Sequence, residues 1–574
     1  MKPLIKHIVT SPPKKPKPPW NRHVYALIIL AYAFIAVLTP NLNTYDSNGP
    51  EFLSLAILNL LSFAFLLTRK KLTEEKKFLS FFFRNRIGLV YSLFLLIALL
   101  SFIKSVNVLE SILTFSKLFT IFSATFIIAI ILRSNIQYLK FISIIMTGLL
   151  LIDSLFVFYS LYKKFINGEA IYLSYLISDI KFIYSNKNIL TAAIFIKIPF
   201  ALWLFSFEKI RWKALGLFAF ICALPAVFFM RTRSAYLGLF FLLMAFILFT
   251  CVRYFRRKEF LKLSLVLFLF VLIISGAFVL FTGTGRAFIP QKWQEKKVFQ
   301  YITSVDIVSR LKTISEEKAG LRMQTLVNTG RLIKRDPILG TGAGNWKLQI
   351  RKYENLHTFD YLCMYRAHND FMENTAETGI IGGLLFSTIF ILIWLIFIRA
   401  FFKPGAMEDS YKYLFLPAFG MLCYFFDAFF NFPSDRPEIA SLFAIFVGSA
   451  IPFTPSNISL ASPISRLTSH VLRPTSYVLR LTSYVSRNPS LIIKTLLITF
   501  MLASIYVLFL NFKSLKLQRI VAQDIQRGMY IHPSEMFVNG FPAVPTVTIE
   551  CEPIAVSKSR YLANEGKYTR PLPC

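Results

Sequence analysis

One histidine lies where a long polar loop meets an apolar segment. The residues from Tyr365 to Gly383 read YRAHNDFMENTAETGIIGG, and an apolar run follows directly. His368 is therefore expected about four helical turns above a segment long enough to cross a bilayer. A neutral imidazole can accept a proton from a hydroxyl group, which an arginine cannot do. This position predicts general-base chemistry at a membrane surface, with a hydrogen-bonded structural histidine as the alternative.

Arginines occur at further points that the sequence places at a similar depth. Arg231 and Arg233 lie between two apolar runs, and Arg322 precedes the glycine-rich turn PILGTGAGNW. A guanidinium group binds phosphate oxygens through two parallel hydrogen bonds, so these residues suit a lipid diphosphate. The alternatives are that Arg231 and Arg233 anchor a short loop by reaching the headgroups, and that Arg322 is a solvated charge.

The elements that must position these residues are membrane helices. The chain has 574 residues, 55% hydrophobic and 16% charged, with a mean hydropathy of +0.57, which excludes a water-soluble globular protein. Apolar runs of about 17 to 25 residues recur about thirteen times, and they are continuous rather than alternating. The sequence predicts an all-α polytopic membrane bundle of about 12–13 transmembrane helices, with a long helical loop outside the membrane.

The charge distribution predicts the orientation of the chain. The formal net charge is +34, and the short loops carry about thirty Lys and Arg on the side of the N-terminus against about eight on the other. The N-terminus is therefore expected in the cytoplasm, and His368 on the outer face. Because the charge follows membrane topology, it does not indicate nucleic-acid binding.

Seven segments follow from this pattern. They are a cytoplasmic basic N-terminus (1–23), a first part of the bundle (24–281), an extracytoplasmic catalytic loop (282–377), a second part of the bundle (378–454), a cytoplasmic low-complexity insert (455–490), a final transmembrane helix (491–511) and an extracytoplasmic tail (512–574).

Local patterns refine three of these segments. In the loop, helical spacing predicts one helix that ends before Pro337 and a second over 302–311. The insert repeats a seven-residue unit from Ser465 that is too polar for a buried seam, so a flexible segment without chemistry is expected. The tail begins like a helix, but one helix cannot bury its own apolar face, and we predict no fold for it.

Several polar groups have a structural interpretation beside a functional one. Glu377 is expected to cap free backbone amides at a helix start, and Gly340 and Gly342 are expected to form a tight turn. Charged residues inside apolar runs line a path or form ion pairs; they are Lys117, Asp153, Lys197 and Asp427. The six cysteines show no spacing typical of a metal site, and no metal is predicted.

In order and spacing, these elements resemble the O-antigen ligase and polymerase superfamily, bacterial membrane glycosyltransferases that use polyprenyl-diphosphate-linked glycans. The resemblance covers about residues 85 to 450 and is carried by Asn186-Lys187-Asn188, by Thr232-Arg233-Ser234, by Arg322 followed by Pro337 to Gly342, and by His368-Asn369 with Glu377, Gly379 and Gly382.

The resemblance implies roles for individual residues. His368 would be the catalytic histidine near the acceptor, and Arg233 and Arg322 would hold the diphosphate of the donor. Further donor-binding residues would be Arg231, Asn188, Asn369 and Arg436. Glu377, Gly340 and Gly342 would orient the site.

The resulting expectation is an inverting, metal-independent glycosyltransferase of the bacterial cytoplasmic membrane, with its active site on the extracytoplasmic side. It would move a glycan from undecaprenyl diphosphate to a hydroxyl of a lipid or glycan acceptor. It would use no cofactor, contact membrane lipid but no nucleic acid, and act as a monomer or weak oligomer. A lipid-linked glycan flippase or polysaccharide exporter is the alternative, and it predicts hydrophilic faces that continue through the bundle.

Overall fold

The computed structural model describes residues 21–35, 39–40, 42–69, 79–167, 177, 179–184, 186–281, 290–294, 317–353, 364–402, 410–454 and 489–567. Most of the predicted basic N-terminus, the helix predicted over 302–311 and the seven-residue repeats lie outside these residues.

Helices make up the regular structure, and the described ranges contain no strand. The longer helices, in chain order, are α1 (Asn21–Ala33), α2 (Asn48–Leu67), α3 (Arg86–Leu100), α4 (Val108–Ser134), α5 (Tyr138–Ile166), α6 (Lys187–Phe207), α7 (Ile210–Phe229), α8 (Arg233–Arg256), α9 (Phe260–Phe281), α10 (Glu317–Arg335), α11 (Asp370–Phe402), α12 (Ser410–Phe430), α13 (Pro437–Ala450), α14 (Pro489–Arg527) and α15 (Ile554–Asn564). Helix α10 confirms the helix predicted before Pro337.

Ten helices in the described part of the chain are long and apolar enough to cross a membrane. Three shorter apolar helices accompany them, over Val24–Ala33, Phe260–Leu269 and Pro437–Phe453. Together they account for the apolar runs in the sequence. The prediction of an all-α, multi-pass membrane protein is therefore confirmed.

Helices α4 and α6 form the centre of the bundle. In their most apolar windows 83% and 89% of the residues are buried, against 28% in α14. Since other helices surround α4 and α6, both are apolar over most of their surface. The charge of Lys197 in α6 is compensated locally: its Nζ lies 2.6 Å from Asp153 Oδ2 and 2.8 Å from Tyr184 Oη. This ion pair thus accounts for Lys197 and Asp153, two of the four charged residues that the sequence places inside apolar runs.

The turns that matter for function meet at one end of the bundle, here called the site end. They are the segments 101–107, 186–188, 230–232, 337–353, 364–369 and 431–436. The opposite end carries basic side chains near helix ends, for example Lys140 against Glu208 and Arg256, which donates to the carbonyl of Phe401 at 2.6 Å. The chain therefore alternates between two chemically different ends.

The expectation that the tail has no fold is wrong. Helix α14 continues past its membrane segment to Arg527, and the later residues fold back onto it through a short helix (Ser534–Val538) and α15. These pieces share a small apolar core of Leu517, Val521, Phe537, Phe541, Ile554 and Tyr561. We call residues 512–567 the tail module. Its Pro-rich turns carry two short helices back to cover the apolar face that α14 could not bury alone.

Candidate active site at the site end of the bundle

Arg366 fixes the turn that carries His368. Its Nη1 lies 2.6 Å from Glu373 Oε1, and its Nη2 lies 2.8 Å from Asp435 Oδ1. The second oxygen of Glu373 accepts a hydrogen bond from the amide of Ala367 at 2.7 Å. Because the first turn of α11 supplies Glu373, the residues just before α11 are held against their own helix.

The same ion pairs attach a second turn, 433–436. Asp435 accepts from Lys117 Nζ at 2.6 Å as well as from Arg366, and Asp370 Oδ2 accepts from the amide of Ser434 at 3.0 Å. Burial raises the pKa of the Asp435 carboxyl, but Arg366 and Lys117 outweigh it and hold that pKa well below its usual range. Asp435 therefore stays ionised and keeps the turn attached to Arg366 and Lys117, which brings Arg436 beside His368.

Phe432 lies between the two functional side chains. Its ring meets the His368 ring edge-on, with centroids 5.1 Å apart, and the Arg436 guanidinium lies 4.7 Å from its centre. Aromatic and cation–π contacts of this kind restrict the orientation of both groups. His368 also has a φ of 54°, in the left-handed region that few non-glycine residues adopt. Such strain persists only where the surroundings hold it.

His368 lines two adjacent cavities. The smaller one, here called the arginine cavity, has a volume of about 100 Å³. Its polar lining comprises Asn186, Asn188, Arg322, His368, Asp427, Asn431 and Arg436. The larger one, the tail cavity, has a volume of about 360 Å³ and reaches the tail module. Asn186, His368, Phe432 and Arg436 line both cavities and form the wall between them.

The electrostatic surroundings keep His368 neutral. Burial, followed by the positive charges of Arg322 and Arg436, lowers the pKa of His368 from 6.5 to about 4. The imidazole is consequently unprotonated at neutral pH and able to accept a proton. Within the described structure its buried Nδ1 has no hydrogen-bond partner, so a ligand could supply one.

The structure brings together four of the residues singled out from the sequence: His368, Arg322, Asn188 and Arg436 all line the arginine cavity. Arg231 lies on the turn between α7 and α8, and Arg233 is the first residue of α8; both are half-buried. The hydroxyl of Thr232 lies 3.5 Å from Asn188 Oδ1, and Ser234 Oγ accepts from Asn431 at 3.3 Å. The predicted contact of Arg231 and Arg233 with a diphosphate stays a prediction.

Asn369 has a local structural function. It is buried, with 3% of its surface exposed, and its side-chain oxygen accepts from the amide of Met372 at 3.0 Å. This bond satisfies a free amide in the first turn of α11. Its predicted role in donor binding stays a prediction.

Glu377 and the glycine turn also hold the site together. The Glu377 carboxylate accepts from the amide of Trp346 at 3.2 Å and so caps the short helix Trp346–Gln349. It therefore caps amides of another helix and not those of α11. The amide of Gly342 donates to the carbonyl of Glu377 at 3.0 Å, and Gly340 has a φ of 66°. The turn thereby docks on α11 close to its break at Gly379.

Gly379 permits this docking and gives a stability prediction. At φ 75° and ψ 175° it lies in a region essentially restricted to glycine, and a Cβ there would lie 2.0 Å from the carbonyl oxygen of Ile338. We expect Gly379→Ala to destabilise the protein by at least about 1–3 kcal/mol, measured by thermal unfolding in detergent. Gly148→Ala is the control, because nothing lies within 4 Å of a Cβ at this helical position. Equal melting temperatures for the two variants would contradict the prediction.

The sequence analysis missed the residues that assemble the site. Arg366 and Glu373 stand in the quoted stretch around His368, and Asp435 and Phe432 stand beside Arg436. A signal was present, since charged residues next to an apolar run need partners. One of the two partners of Arg366, Asp435, lies 69 residues away, and no local spacing indicates it. Over the described ranges, no group of three or more His, Cys, Asp or Glu side chains could hold a metal ion.

The fold and the site define a class: a multi-pass helical membrane protein with a basic, histidine-bearing cleft at one end of its bundle. Residues 218–387 match the family model described as O-antigen ligase. The resemblance to that superfamily is confirmed, and the match supports a membrane protein of the glycosyltransferase-like ligase or polymerase type. The matched segment includes Arg233, Arg322 and His368, whereas Arg436 and the tail module lie beyond it. A comparison with curated proteins found no significant match.

Proposed function

We propose that this chain transfers a glycan from undecaprenyl diphosphate to an acceptor hydroxyl, with His368 as the general base. One observation carries the proposal: His368 lines both the cavity that contains Arg322 and Arg436 and the larger neighbouring cavity. In the larger cavity, Arg366 and Lys117 are already paired with carboxylates. A transferase with two substrates needs its base between them, within reach of the attacking hydroxyl. The O-antigen ligase match supports lipid-linked glycans as substrates.

The arginine cavity is the proposed donor site. Arg322 and Arg436 line it from different parts of the chain, and Asn188 adds an amide. Two guanidinium groups can bind a diphosphate through paired hydrogen bonds and neutralise the charge that grows on it as it leaves. Arg231, on the turn before α8, and Arg233, the first residue of α8, would extend this positive surface. Helix α10, which carries Arg322, exposes 63% of Met323 and 50% of Val327, as suits a helix that rests on lipid.

The proposed reaction is a single displacement. His368 takes the proton from the acceptor hydroxyl, and that oxygen forms a bond to the anomeric carbon from the side opposite the diphosphate. The bond between the anomeric carbon and the diphosphate oxygen breaks at the same time. The electron pair of this bond leaves with undecaprenyl diphosphate, and Arg322 and Arg436 stabilise the negative charge that develops on the diphosphate. The configuration at the anomeric carbon is inverted, and the arginines perform the charge neutralisation without a metal or cofactor.

The proposed location is the bacterial cytoplasmic membrane, with the site end facing outward. The distribution of Lys and Arg over the short loops supports this orientation. The site would then receive the donor after its glycan has been exposed on the outer leaflet. The acceptor would be a hydroxyl of a lipid or glycan on the same face.

The purified chain, supplied with a labelled undecaprenyl-diphosphate glycan and an envelope acceptor, tests this function. We expect free undecaprenyl diphosphate to appear in step with labelled acceptor, with inverted configuration at the new bond. A flippase or exporter would leave the glycan–diphosphate bond intact. The proposal fails if the linkage survives under conditions where both substrates bind.

A further inference from the structure

The tail cavity has a wall that comes from the C-terminal part of the chain. Asp46, Asn48 and Lys117 line it from the bundle, and Arg366 and His368 line it from the loop before α11. The remaining side is formed by Asn511 of α14 and by Leu515 and Ile549 of the tail module. None of these three residues lies in the segment that matches the O-antigen ligase model. This wall therefore belongs to a part of the chain that the family match does not cover.

Hydrogen bonds hold the tail module in place against the bundle. Glu110 Oε1 accepts from the amides of Thr546 and Val547 at 2.7 and 3.2 Å. Its other oxygen lies 2.8 Å from Lys347 Nζ, in the segment after the glycine turn. Glu110 is fully buried, so one carboxylate connects α4, this segment and the tail module. The wall is thus attached to the elements that also hold the site.

Two further bonds position the wall residues themselves. The amide of Tyr45 donates to the carbonyl of Leu515 at 3.0 Å, which ties α14 to the segment before α2. The amide of Ile549 donates to Gln518 Oε1 at 3.1 Å. Leu515 and Ile549 therefore face the cavity from backbone positions that are themselves hydrogen-bonded. A wall of this kind can discriminate between ligands by shape.

One amide oxygen in this cavity lacks a partner. Asn48 Oδ1 is buried and has no hydrogen-bond partner among the described residues. Asn511, which lines the same cavity, is buried with 6% of its surface exposed. Buried amides are nearly always hydrogen-bonded, so an unpartnered one that lines a cavity indicates a ligand with hydroxyl or amide groups.

The lining has the composition that a sugar requires. Asp46, Asn48 and Asn511 offer oxygen acceptors, and the amides and Lys117 offer donors. A sugar ring presents hydroxyl groups, each a donor and an acceptor, together with an apolar C–H face. Aromatic rings that could contact such a face are present as Tyr365 and Phe432. The volume of about 360 Å³ falls in the range of about 300–1,000 Å³ typical of small-ligand sites.

We propose that Asn511 of α14 and the tail module form the outer wall of the acceptor site and that Asn511, Leu515 and Ile549 select a saccharide acceptor. This inference rests on the proposed function, since it names the acceptor class for the same His368. The chain thus combines a matched segment that holds the catalytic histidine with a separate C-terminal wall that determines what is glycosylated.

Two variants test this wall. Asn511→Leu removes the amide at similar volume, and Ile549→Trp fills part of the cavity. Both are expected to raise the KM for oligosaccharides released from the host's surface glycan by about tenfold or more. The KM for the donor should change by less than about twofold, because neither residue lines the arginine cavity. Ile531→Trp is the matched control, as this isoleucine of the same module is 62% exposed.

Binding of the same oligosaccharides to donor-free protein is measured alongside, so that recognition and catalysis are separated. Unchanged acceptor KM and affinity in both variants, in protein that elutes like the wild type, would overturn this inference and leave the proposed function intact. If the variants bind the oligosaccharides more weakly but the wild type transfers no glycan, the saccharide site is supported and the proposed glycan transfer is contradicted. If the protein glycosylates a serine-containing peptide as efficiently as the oligosaccharides, and the same two variants reduce that reaction, the acceptor is not restricted to saccharides and this inference is overturned.

Discussion

Replacing His368 by asparagine is expected to lower kcat for glycan transfer by about 10²–10⁴-fold, the usual contribution of a general base. Asparagine removes the imidazole but tolerates the left-handed backbone better than most residues, and His368 has a φ of 54°. The loss should therefore reflect missing proton transfer and not a distorted loop. Transfer in detergent-purified protein is the measurement, with donor binding recorded in parallel.

Donor affinity provides the internal control for this variant. Arg322 and Arg436 remain, and removal of the neutral ring leaves the charge of the arginine cavity unchanged, so donor binding should persist. His368→Ala should lower kcat to the same level as the asparagine variant does. A variant that transfers glycan at the wild-type rate would remove His368 from the mechanism, whatever its position between the cavities.

The same histidine determines the dependence on acidity. Because its pKa is lowered to about 4, the unprotonated base persists as the pH falls, and kcat/KM should stay level from about pH 8 to about pH 5. A histidine with the ordinary pKa of about 6.5 would lose about 30-fold over this interval. A bound diphosphate offsets the two arginine charges and raises the pKa of His368, so kcat should decline at a higher pH than kcat/KM does.

Arg366→Met is expected to lower the free energy of unfolding by about 3–5 kcal/mol, the cost of leaving the buried charge of Glu373 without its partner. Asp435 keeps Lys117 at 2.6 Å and is affected less. The Arg366 guanidinium connects Glu373 and Asp435, whose side chains are only 7% and 11% exposed. Methionine keeps much of the volume, so the lost charge dominates. Unfolding in detergent, followed by loss of helical signal, measures the difference.

Arg560→Met is the matched control for this effect. Arg560 also contacts a glutamate, Glu552, at 2.6 Å, but the two side chains are 37% and 25% exposed. An ion pair accessible to solvent contributes only about 0–1 kcal/mol. Similar destabilisation by both variants would show that Arg366 is no more important to the fold than a surface pair.

The two predictions have a common structural origin. His368 and Arg436 stand 68 positions apart, and Arg366, Asp370 and Asp435 join the turns that carry them. Loss of Arg366 should therefore weaken catalysis as well as stability, since the turn with Arg436 is no longer held against His368. Comparing residual activity with the folded fraction separates these two consequences.

Local sequence was sufficient for the helices and for one catalytic candidate. A bilayer requires long apolar segments with internally satisfied backbones, so the all-α, multi-pass class and the helix that ends before Pro337 follow from composition and spacing. His368 was recognisable because, in a polar loop beside an apolar segment, it is a residue that can accept a proton at neutral pH; the structural alternative was not decided by the sequence. The excess of Lys and Arg near one set of helix ends predicted which loops share a side.

Only the tertiary structure showed which cation lines a cavity with the histidine and what covers the apolar face of α14 in the tail module. Arg436, and not Arg233, joins Arg322 in the cavity lining, because the rotation of each helix and ion pairs across 69 residues determine which side chain points inward. The tail module was equally invisible, since α14 buries its apolar face against helices that begin at Ser534 and Ile554. Periodicity reports which face of a helix is apolar, but the partner that covers that face is a long-range property of the folded chain.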